Sequence, residues 1–191
     1  MSNRFEIRVA GSGGQGVILA AVILGEAAAL HSDTLNSVQS QAYGPEARGG
    51  AAKSEVIYDT APIDYPKATS PNFQLILTQK ACDSYIGDTA KGATVILDDI
   101  FVTEIPQIDG QIYHLPIVRT AREKIGREIV VNMVALGTAA RFLEEKKLLA
   151  PSAIKQTILA RVPKGTEELN AKAFDEGYSI MDEALKKQPL K

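Results

Sequence analysis

The sequence is poor in the residues that build metal centres and covalent cross-links. Its 191 residues include one cysteine, Cys82, and two histidines, His31 and His114. A single thiol cannot form an internal disulfide or hold an iron–sulfur cluster, which takes about four thiolates. Neither histidine has a carboxylate at metal-ligand spacing, so no zinc site is expected. The isolated chain is therefore expected to carry no metal.

Cys82 and His114 leave one enzymatic alternative open, a cysteine nucleophile activated by a histidine base. The simpler interpretation is a small buried thiol and a histidine in a strand, because free cysteine is among the most buried residue types. The sequence favours the simpler one, and no other catalytic group is indicated.

Strong net charge and long apolar runs are also absent. The formal net charge is -2, which favours neither nucleic acid nor an anionic membrane. The longest apolar run, residues 17–24, is shorter than the roughly 20 residues that span a bilayer. Residues 1–5 lack the apolar segment of a signal peptide. A cytoplasmic protein is expected, with no membrane and no nucleic acid among its partners.

What the sequence does have is the ordinary composition of a globular α/β domain. Hydrophobic residues make up 45% and charged residues 23%. This length suits one domain over residues 1–191. Periodicity and turn residues predict strands at 5–10, 34–38, 52–58, 74–78, 94–97 and 111–115, and helices at 17–30 and 80–88. Strand–helix–strand units of this kind predict a three-layer α/β/α domain with a doubly wound, mostly parallel sheet.

The last third of the chain is predicted to be helical. A 3.6-residue period runs through 118–125, 131–146, 152–162 and 167–186. In the last of these, one stripe carries Leu169, Ala173, Tyr178, Met181 and Leu185. These helices either cover one face of the sheet or form an arm onto a partner.

The first candidate site is a glycine-rich loop between the first strand and the first helix. It is formed by Gly11, Ser12, Gly13, Gly14, Gln15 and Gly16. Glycines allow a close backbone approach, and the following helix presents free N–H groups to a phosphate or pyrophosphate. The alternative is a tight turn that needs glycine for its backbone angles alone.

The surrounding residues argue against two common nucleotide sites. A dinucleotide site needs an acid at the end of the second strand, where this sequence has Gln39 and Ser40. Asp33 precedes that strand, and Glu26 lies within the first helix. No Gly-Lys-Ser/Thr follows the loop, so it is not a P-loop.

The second candidate site is the long polar stretch 39–50. Its informative residues are Tyr43, Gly44, Glu46, Arg48, Gly49 and Gly50. A loop of this length in a small domain is usually functional or disordered, and its flanking strands favour function. Arg48 is suited to a carboxylate or phosphate; otherwise it forms a weak surface pair with Glu46.

Together the two loops resemble a known family. The glycine loop, the 43–50 loop, the strand at 53–58 and the segment 130–137 closely resemble gamma subunits of 2-oxoacid:ferredoxin oxidoreductases, over roughly residues 4–185. These belong to the pyruvate/ketoisovalerate oxidoreductase gamma-domain family. The form of the 43–50 loop is more similar to the 2-oxoglutarate type than to the pyruvate type.

The resemblance implies a non-catalytic subunit of a larger enzyme. Such an enzyme decarboxylates a 2-oxoacid oxidatively, forms an acyl-coenzyme A and reduces ferredoxin. Thiamine diphosphate with Mg²⁺ is implied between alpha and beta subunits, and iron–sulfur clusters in beta or a ferredoxin-like delta subunit. For this chain, the resemblance implies that residues 11–16 help to hold coenzyme A. It implies that the 43–50 loop contacts a ligand or a partner.

Three other functions remain open at this point. One is a free-standing nucleotide-binding oxidoreductase. Another is a structural subunit whose glycine loop only packs. The third is the small subunit of an indolepyruvate oxidoreductase, which shares the glycine loop.

Overall fold

A six-stranded sheet forms the centre of the molecule. The computed structural model describes residues 3–41 and 50–190. Its strands are β1 (Phe5–Ser12), β2 (Asn36–Gln41), β3 (Ala51–Asp59), β4 (Phe73–Ile76), β5 (Ala93–Asp98) and β6 (Gly110–Leu115), in the spatial order β2-β3-β1-β4-β5-β6. Each predicted strand is present, within three residues of its expected bounds.

Strand directions make the sheet mixed but mostly parallel. β1, β4, β5 and β6 run parallel to one another. β3 runs antiparallel to both of its neighbours, β1 and β2. The predicted three-layer, mostly parallel fold is confirmed. The sequence did not indicate that β2, the strand after the first helix, lies at the edge of the sheet. Nor did it indicate that β3 lies between β2 and β1.

Helices cover the two faces of the sheet unequally. The described helices of three or more residues with α geometry are α1 (Val17–His31), α2 (Gln79–Tyr85), α3 (Ile117–Arg119), α4 (Val131–Glu145), α5 (Pro151–Arg161) and α6 (Glu167–Lys187). Helices α1, α4, α5 and α6 share one large hydrophobic core with alternate residues of the strands. A smaller cluster on the opposite face includes Ala81 and Cys82 of α2.

The predicted helix at 118–125 is the least regular element. It consists of the short α3 followed by a wider π-type turn over Thr120–Lys124. Asp98, at the end of β5, fixes its start, since one carboxylate oxygen accepts the Val118 N–H at 2.7 Å. The other oxygen accepts the N–H groups of Ile100 and Phe101.

Strand β1 sends its alternate side chains into two different environments. Ile7 and Val9 lie in the large core. On the other face, Arg8 is 1% exposed and forms ion pairs with Glu55 at 2.9 Å and Asp88 at 2.6 Å. The Ala68 peptide joins this cluster, because its carbonyl accepts from Arg8 and its N–H donates to Glu55. A buried ion pair is tolerated only when its polar atoms are satisfied in this way.

Glu6 uses the same face of β1 to hold the segment between β3 and β4. Its carboxylate accepts the backbone N–H groups of Thr69 and Ser70 at 2.7 and 2.8 Å. Arg4 pairs with the same carboxylate. The charged residues of β1 therefore hold the irregular segment between β3 and β4 against this face of the sheet. The alternation of apolar and polar residues in β1 alone predicts that this face is exposed to solvent.

The C-terminal helices cover the sheet, and α6 belongs to the core of this chain. Helices α4 and α6 cross with their backbones in contact, because a Cβ at Gly177 would lie 1.9 Å from the Val134 carbonyl oxygen. A Cβ at Gly137 would lie 2.0 Å from the Phe174 carbonyl oxygen. After α6, the Tyr113 hydroxyl donates to the Gln188 carbonyl and ties the tail to β6.

Within the described residues, the structure has no helix that combines the length and apolar character needed to cross a bilayer.

The crossing of α4 and α6 predicts a severe effect of one methyl group. Gly177→Ala should lower the free energy of unfolding by about 3 kcal/mol or more, since the added carbon has to push two backbones apart. Urea denaturation measures this loss. The matched control is Gly87→Ala, where no atom lies within 4 Å of the added carbon. Equal stability of the two variants would contradict the backbone contact.

The buried cluster on β1 predicts a second large effect. Arg8→Met leaves Glu55 buried without its main partner and should cost about 3 kcal/mol of stability. The double variant Arg8→Met/Glu55→Gln should recover part of this loss, because the uncompensated charge is gone. Arg122→Ala, which breaks an exposed pair with Glu128, should leave the urea midpoint nearly unchanged. Glu55→Gln alone completes the comparison. If the stability lost by the double variant equals the sum of the losses of Arg8→Met and Glu55→Gln, the two residues are not energetically coupled.

Candidate functional site

The glycine loop lies at the end of β1 and is closed by the side chain of Gln15. Strand β1 continues to Ser12, two residues beyond its predicted end. The Ser12 N–H donates to Gln15 Oε1 at 2.8 Å, and the Gln15 N–H donates to the Ser12 carbonyl at 3.3 Å. A Cβ at Gly11 would lie 2.5 Å from Gln15 Oε1, so glycine at this position makes room for the clamp.

The end of the loop presents an uncapped helix. Gly14 and Gly16 have φ angles of 90° and 71°, in the left-handed region that favours glycine. Gly16 is the residue before α1, and no side chain caps the first turn of this 15-residue helix. The first N–H groups of a helix have no partner within it and carry the positive end of the helix dipole. This arrangement is suited to an anionic group.

Two grooves meet at the glycine loop. The first, called here the loop groove, has a volume of about 520 Å³ and is lined by Ser12, Gly13, Gly14, Gln15, Thr78, Phe101, Glu128, Ile129 and Val131. The second, the helix groove, has about 470 Å³ and is lined by Ser12, Gly13, Gly14, Gly16, Val17, Ile18, Leu19, Val22, Ala52 and Arg161. Ser12, Gly13 and Gly14 therefore form the ridge between them.

The charged side chains that line these grooves already have partners. Glu128 forms two hydrogen bonds with Arg122, at 2.9 and 3.0 Å, and the bond from Arg122 lowers the pKa of the Glu128 carboxyl. Arg161 pairs with Glu26 of α1. The loop therefore offers mainly backbone N–H groups to a ligand.

The second predicted loop falls mostly outside the described residues. This applies to Tyr43, Gly44, Glu46, Arg48 and Gly49, while Gly50 is described and buried. Strand β2 extends to Gln41, so residues 39–41, which were predicted to belong to the loop, lie in a strand.

The sheet register brings the end of this segment to the glycine loop. Ala51 pairs with Ser12, and Ala52 pairs with Gly11. Gly50, which precedes Ala51, therefore rejoins the sheet at the point where β1 gives way to the glycine loop. Residues 17–42 lie between the two sequence motifs in the chain, but the described ends of both motifs meet at the same end of β1 and β3.

The strand order of the sheet differs from that of a dinucleotide-binding site. In that site the strand after the first helix lies beside β1 and ends in an acid that binds ribose. Here β3 separates β2 from β1, and β2 ends with Gln39, Ser40 and Gln41.

Cys82 and His114 do not form a nucleophile pair. Cys82 is buried on α2, where burial raises the pKa of its thiol to about 11. The His114 ring nitrogen Nε2 lies 2.8 Å from the Val102 carbonyl oxygen. Among the residues that the structure describes, no group of three or more His, Cys, Asp or Glu side chains could hold a metal ion.

One residue at the site was missed by sequence reasoning. Asn132, in the first turn of α4, is 5% exposed, and its amide nitrogen would lie 2.4 Å from a Cβ at Gly16. Segment 130–137 carries part of the family resemblance, but the sequence predicts no role for it in the site. The only available signal was one polar residue within an apolar helical stretch.

Comparison with known proteins agrees with this architecture. The family model described as pyruvate ferredoxin/flavodoxin oxidoreductase matches residues 6–180. The 2-oxoglutarate synthase subunit KorC of Methanocaldococcus jannaschii is 46% identical over 182 residues, which cover 94% of this chain and 95% of that protein.

Two solved structures have the same fold. The gamma subunit of a keto/oxoacid ferredoxin oxidoreductase from Geobacter sulfurreducens is 43% identical, with a TM-score of 0.86 over 95% of this chain and 98% of that one. A 2-oxoglutarate:ferredoxin oxidoreductase from Magnetococcus marinus is 22% identical, with a TM-score of 0.80 over 98% of this chain and 32% of that one. The second likeness shows the fold alone. The chain therefore belongs to the pyruvate ferredoxin/flavodoxin oxidoreductase family, and its resemblance to gamma subunits of 2-oxoacid:ferredoxin oxidoreductases is confirmed.

Proposed function

We propose that this chain is the gamma subunit of a 2-oxoglutarate:ferredoxin oxidoreductase and that its glycine loop helps to hold coenzyme A. The observation that carries the proposal is the uncapped N-terminus of α1, which follows the left-handed Gly16 and lies at the meeting point of two grooves. Coenzyme A brings a pyrophosphate, and a helix N-terminus with a glycine-rich approach is a favourable place for one.

The substrate assignment rests on relatives. The 46% identical protein from Methanocaldococcus jannaschii is named a 2-oxoglutarate synthase subunit, and the alignment covers nearly all of both chains. The distant Magnetococcus marinus enzyme was solved with 2-oxoglutarate, coenzyme A and succinyl-CoA bound. These names support 2-oxoglutarate as the oxoacid and coenzyme A as the acyl acceptor of the assembled enzyme.

The chemistry of oxoacid oxidation belongs, in this proposal, to other subunits. Alpha and beta subunits hold thiamine diphosphate and Mg²⁺, and beta or a ferredoxin-like delta subunit holds the iron–sulfur clusters. This chain positions coenzyme A and contributes to assembly in the cytoplasm. A stable interface with such partners buries on the order of 1,600 Å² in total.

The 43–50 loop is proposed to contact ligand or partner beside the glycine loop. The register of β1 and β3 returns this segment to the sheet at Ser12. Arg48 is its one cationic residue, and an arginine binds phosphate or carboxylate with two parallel hydrogen bonds.

The remaining alternatives give different outcomes in the same experiments. A structural subunit with a packing turn would leave coenzyme A use insensitive to the loop. An indolepyruvate oxidoreductase small subunit would copurify with partners that turn over an aryl 2-oxoacid in place of 2-oxoglutarate.

Gly13→Val in the assembled enzyme should impair the use of coenzyme A selectively. Gly13 lines both grooves, and a branched side chain there obstructs the approach of a pyrophosphate. Loss of one charge-assisted hydrogen bond costs about 1.5–3 kcal/mol, so the apparent KM for coenzyme A should rise more than about tenfold. Decarboxylation and the first electron transfer need no coenzyme A and should survive; steady-state and single-turnover assays separate the two.

Gly87→Val is the matched control for that variant. It makes the same substitution where no atom lies within 4 Å of an added Cβ, outside both grooves. Both variants need normal melting and normal assembly before kinetics are compared. Normal coenzyme A use by a folded, assembled Gly13→Val enzyme would show that the loop is a structural turn.

Arg48→Ala should reduce holoenzyme turnover or subunit affinity more than it reduces stability. A charge-assisted contact to phosphate or carboxylate is worth about 1.5–3 kcal/mol of binding. Surface substitutions usually change folding by about 0.5 kcal/mol or less. Lys164→Ala, an exposed residue outside both grooves, serves as the control. Wild-type turnover and wild-type subunit affinity would leave Arg48 with a surface role only.

A further inference from the structure

Strand β2 lies at one edge of the sheet, and its sequence does not discourage pairing with another strand. Within the described residues its one strand neighbour is β3, and the two pair without a bulge from Asn36 to Gln41. These six residues include no charged residue and no proline. Natural edge strands are usually protected by charge, proline, a bulge or a covering segment, because their free N–H and C=O groups invite another strand.

The opposite edge of the sheet is different. Strand β6 borders a cavity of about 560 Å³, which is lined by the consecutive residues 112–116. The other walls of this cavity carry the charged residues Arg119, Glu123, Lys124, Glu183 and Lys187. Charged side chains beside an edge strand discourage strand pairing. The unprotected edge is therefore that of β2.

Helix α1 presents an apolar flank above the same edge. A Cβ at Gly25 would lie 3.2 Å from the Gln39 Cβ, so this side of α1 stands over β2. Helical spacing puts Ile18, Val22 and Ala29 on the same stripe as Gly25. Ile18 and Val22 are half-buried, and Ala29 is exposed. A helix flank without polar side chains is normally covered, so a partner is expected against both α1 and β2.

Ser37 supplies an independent observation at this edge. Its side chain lies on the α1 face of β2, where its Oγ would be 3.6 Å from a Cβ at Gly25. The Oγ is buried and has no hydrogen-bond partner among the described residues. Buried hydroxyls are normally hydrogen-bonded, so the partner that covers this edge is expected to bring a polar group to Ser37.

We infer that this partner is a second copy of the chain, whose β2 pairs with β2 in the antiparallel direction across a two-fold axis at Gln39. The contact joins two six-stranded sheets into one. With the axis normal to the sheet, both α1 helices lie on the same face, and Ser37 of each copy lies opposite Gln41 of the other. Both residues face α1, because side chains alternate along β2. Directly opposed Cβ atoms are about 4.5–5.5 Å apart, so the Gln41 amide reaches the Ser37 hydroxyl.

Charge does not oppose this self-pairing. A two-fold contact brings the same surface of both copies together, so a charged strand would repel its own copy. Strand β2 has no charge, and Glu26, the one acidic residue of α1, pairs with Arg161 within the chain. Because the axis passes near Gly25, Val22 of one copy approaches Ala29 of the other. The edge is thus neutral and self-complementary, as a closed two-fold dimer requires.

Disulfide trapping of the 191-residue chain tests this register. Gln39→Cys places two thiols at the axis, where opposed Cα atoms are about 4.5–5.5 Å apart, within the range of a disulfide. The native Cys82 is buried and does not compete. Val38→Cys is the matched control, because its two copies are offset by two residues and lie about 8 Å apart. Oxidation should convert Gln39→Cys into a covalent dimer on a non-reducing gel and leave Val38→Cys monomeric.

Sedimentation velocity measures the same contact without a cross-link. The unaltered chain should form a concentration-dependent dimer, and Gln39→Lys should weaken it more than about tenfold, because two like charges then face each other. Thr103→Lys, an exposed position beyond β5 and far from β2, should leave the dimer unchanged. Both Gln39 variants lose a hydrogen bond to Ser54, so their melting curves are compared with that of the unaltered chain first.

The outcomes decide between a second copy and another subunit. An unaltered chain that stays monomeric at its highest soluble concentration overturns the inference, and so does equal cross-linking of Gln39→Cys and Val38→Cys. Gln39→Cys is also oxidised within the assembled enzyme, where the covalent dimer should form again. Cross-linking of the isolated chain that disappears in the assembled enzyme would assign the β2 edge to another subunit and overturn the pairing of two copies. The pairing uses no residue of the glycine loop, so its failure leaves the proposed function standing.

Discussion

The buried ion pair between Arg8 and Glu55 fixes how β3 runs against β1. The two residues face each other in the antiparallel register, and Arg8 is almost fully buried. A slip of one residue would exchange the two faces of the strand and leave both charges without partners in the core. Asp88 and the Ala68 peptide complete the cluster. One register is therefore strongly preferred, and the position of both glycine-rich segments follows from it.

The candidate site depends on two such constraints. The β1–β3 register pairs Ser12 with Ala51, so Gly50, at the end of the second loop, lies beside the glycine loop. The glycine contact between α4 and α6 lets the two helices approach closely, with the first turn of α4 holding Asn132 against Gly16. Glycines allow the backbones of α4 and α6 to touch, and the Arg8–Glu55 ion pair aligns β3 with β1. Neither belongs to the residues that would touch a ligand.

Sequence patterns predicted the elements better than their arrangement. The helices α1, α4, α5 and α6 were predicted within one or two residues, because α1 is a long apolar run rich in Ala and Leu and the other three fit a helical period. The direction of β3 could not be predicted, since a buried strand has the same pattern in either direction. The burial of Glu6 and Arg8 was also hidden, because the segment that covers them has no periodicity. The glycine loop was visible from its composition, whereas Asn132 is a single polar residue in an apolar stretch and has no spacing that marks a site.

The electrostatics of the site explain why the chain is expected to need its partners. Among the described residues that line the loop and helix grooves, the charged ones are Glu128 and Arg161, and both are already paired. The α1 N-terminus contributes about 0.3–1 kcal/mol toward an exposed anion. That is too little to hold a polyanion such as coenzyme A, because micromolar binding corresponds to about 8 kcal/mol. Under the proposed function, the remaining affinity comes from apolar contacts, from Arg48 of the second loop, and from surfaces that partner subunits supply. Under the proposed function, the glycine loop orients coenzyme A, and the assembled enzyme provides most of the binding energy.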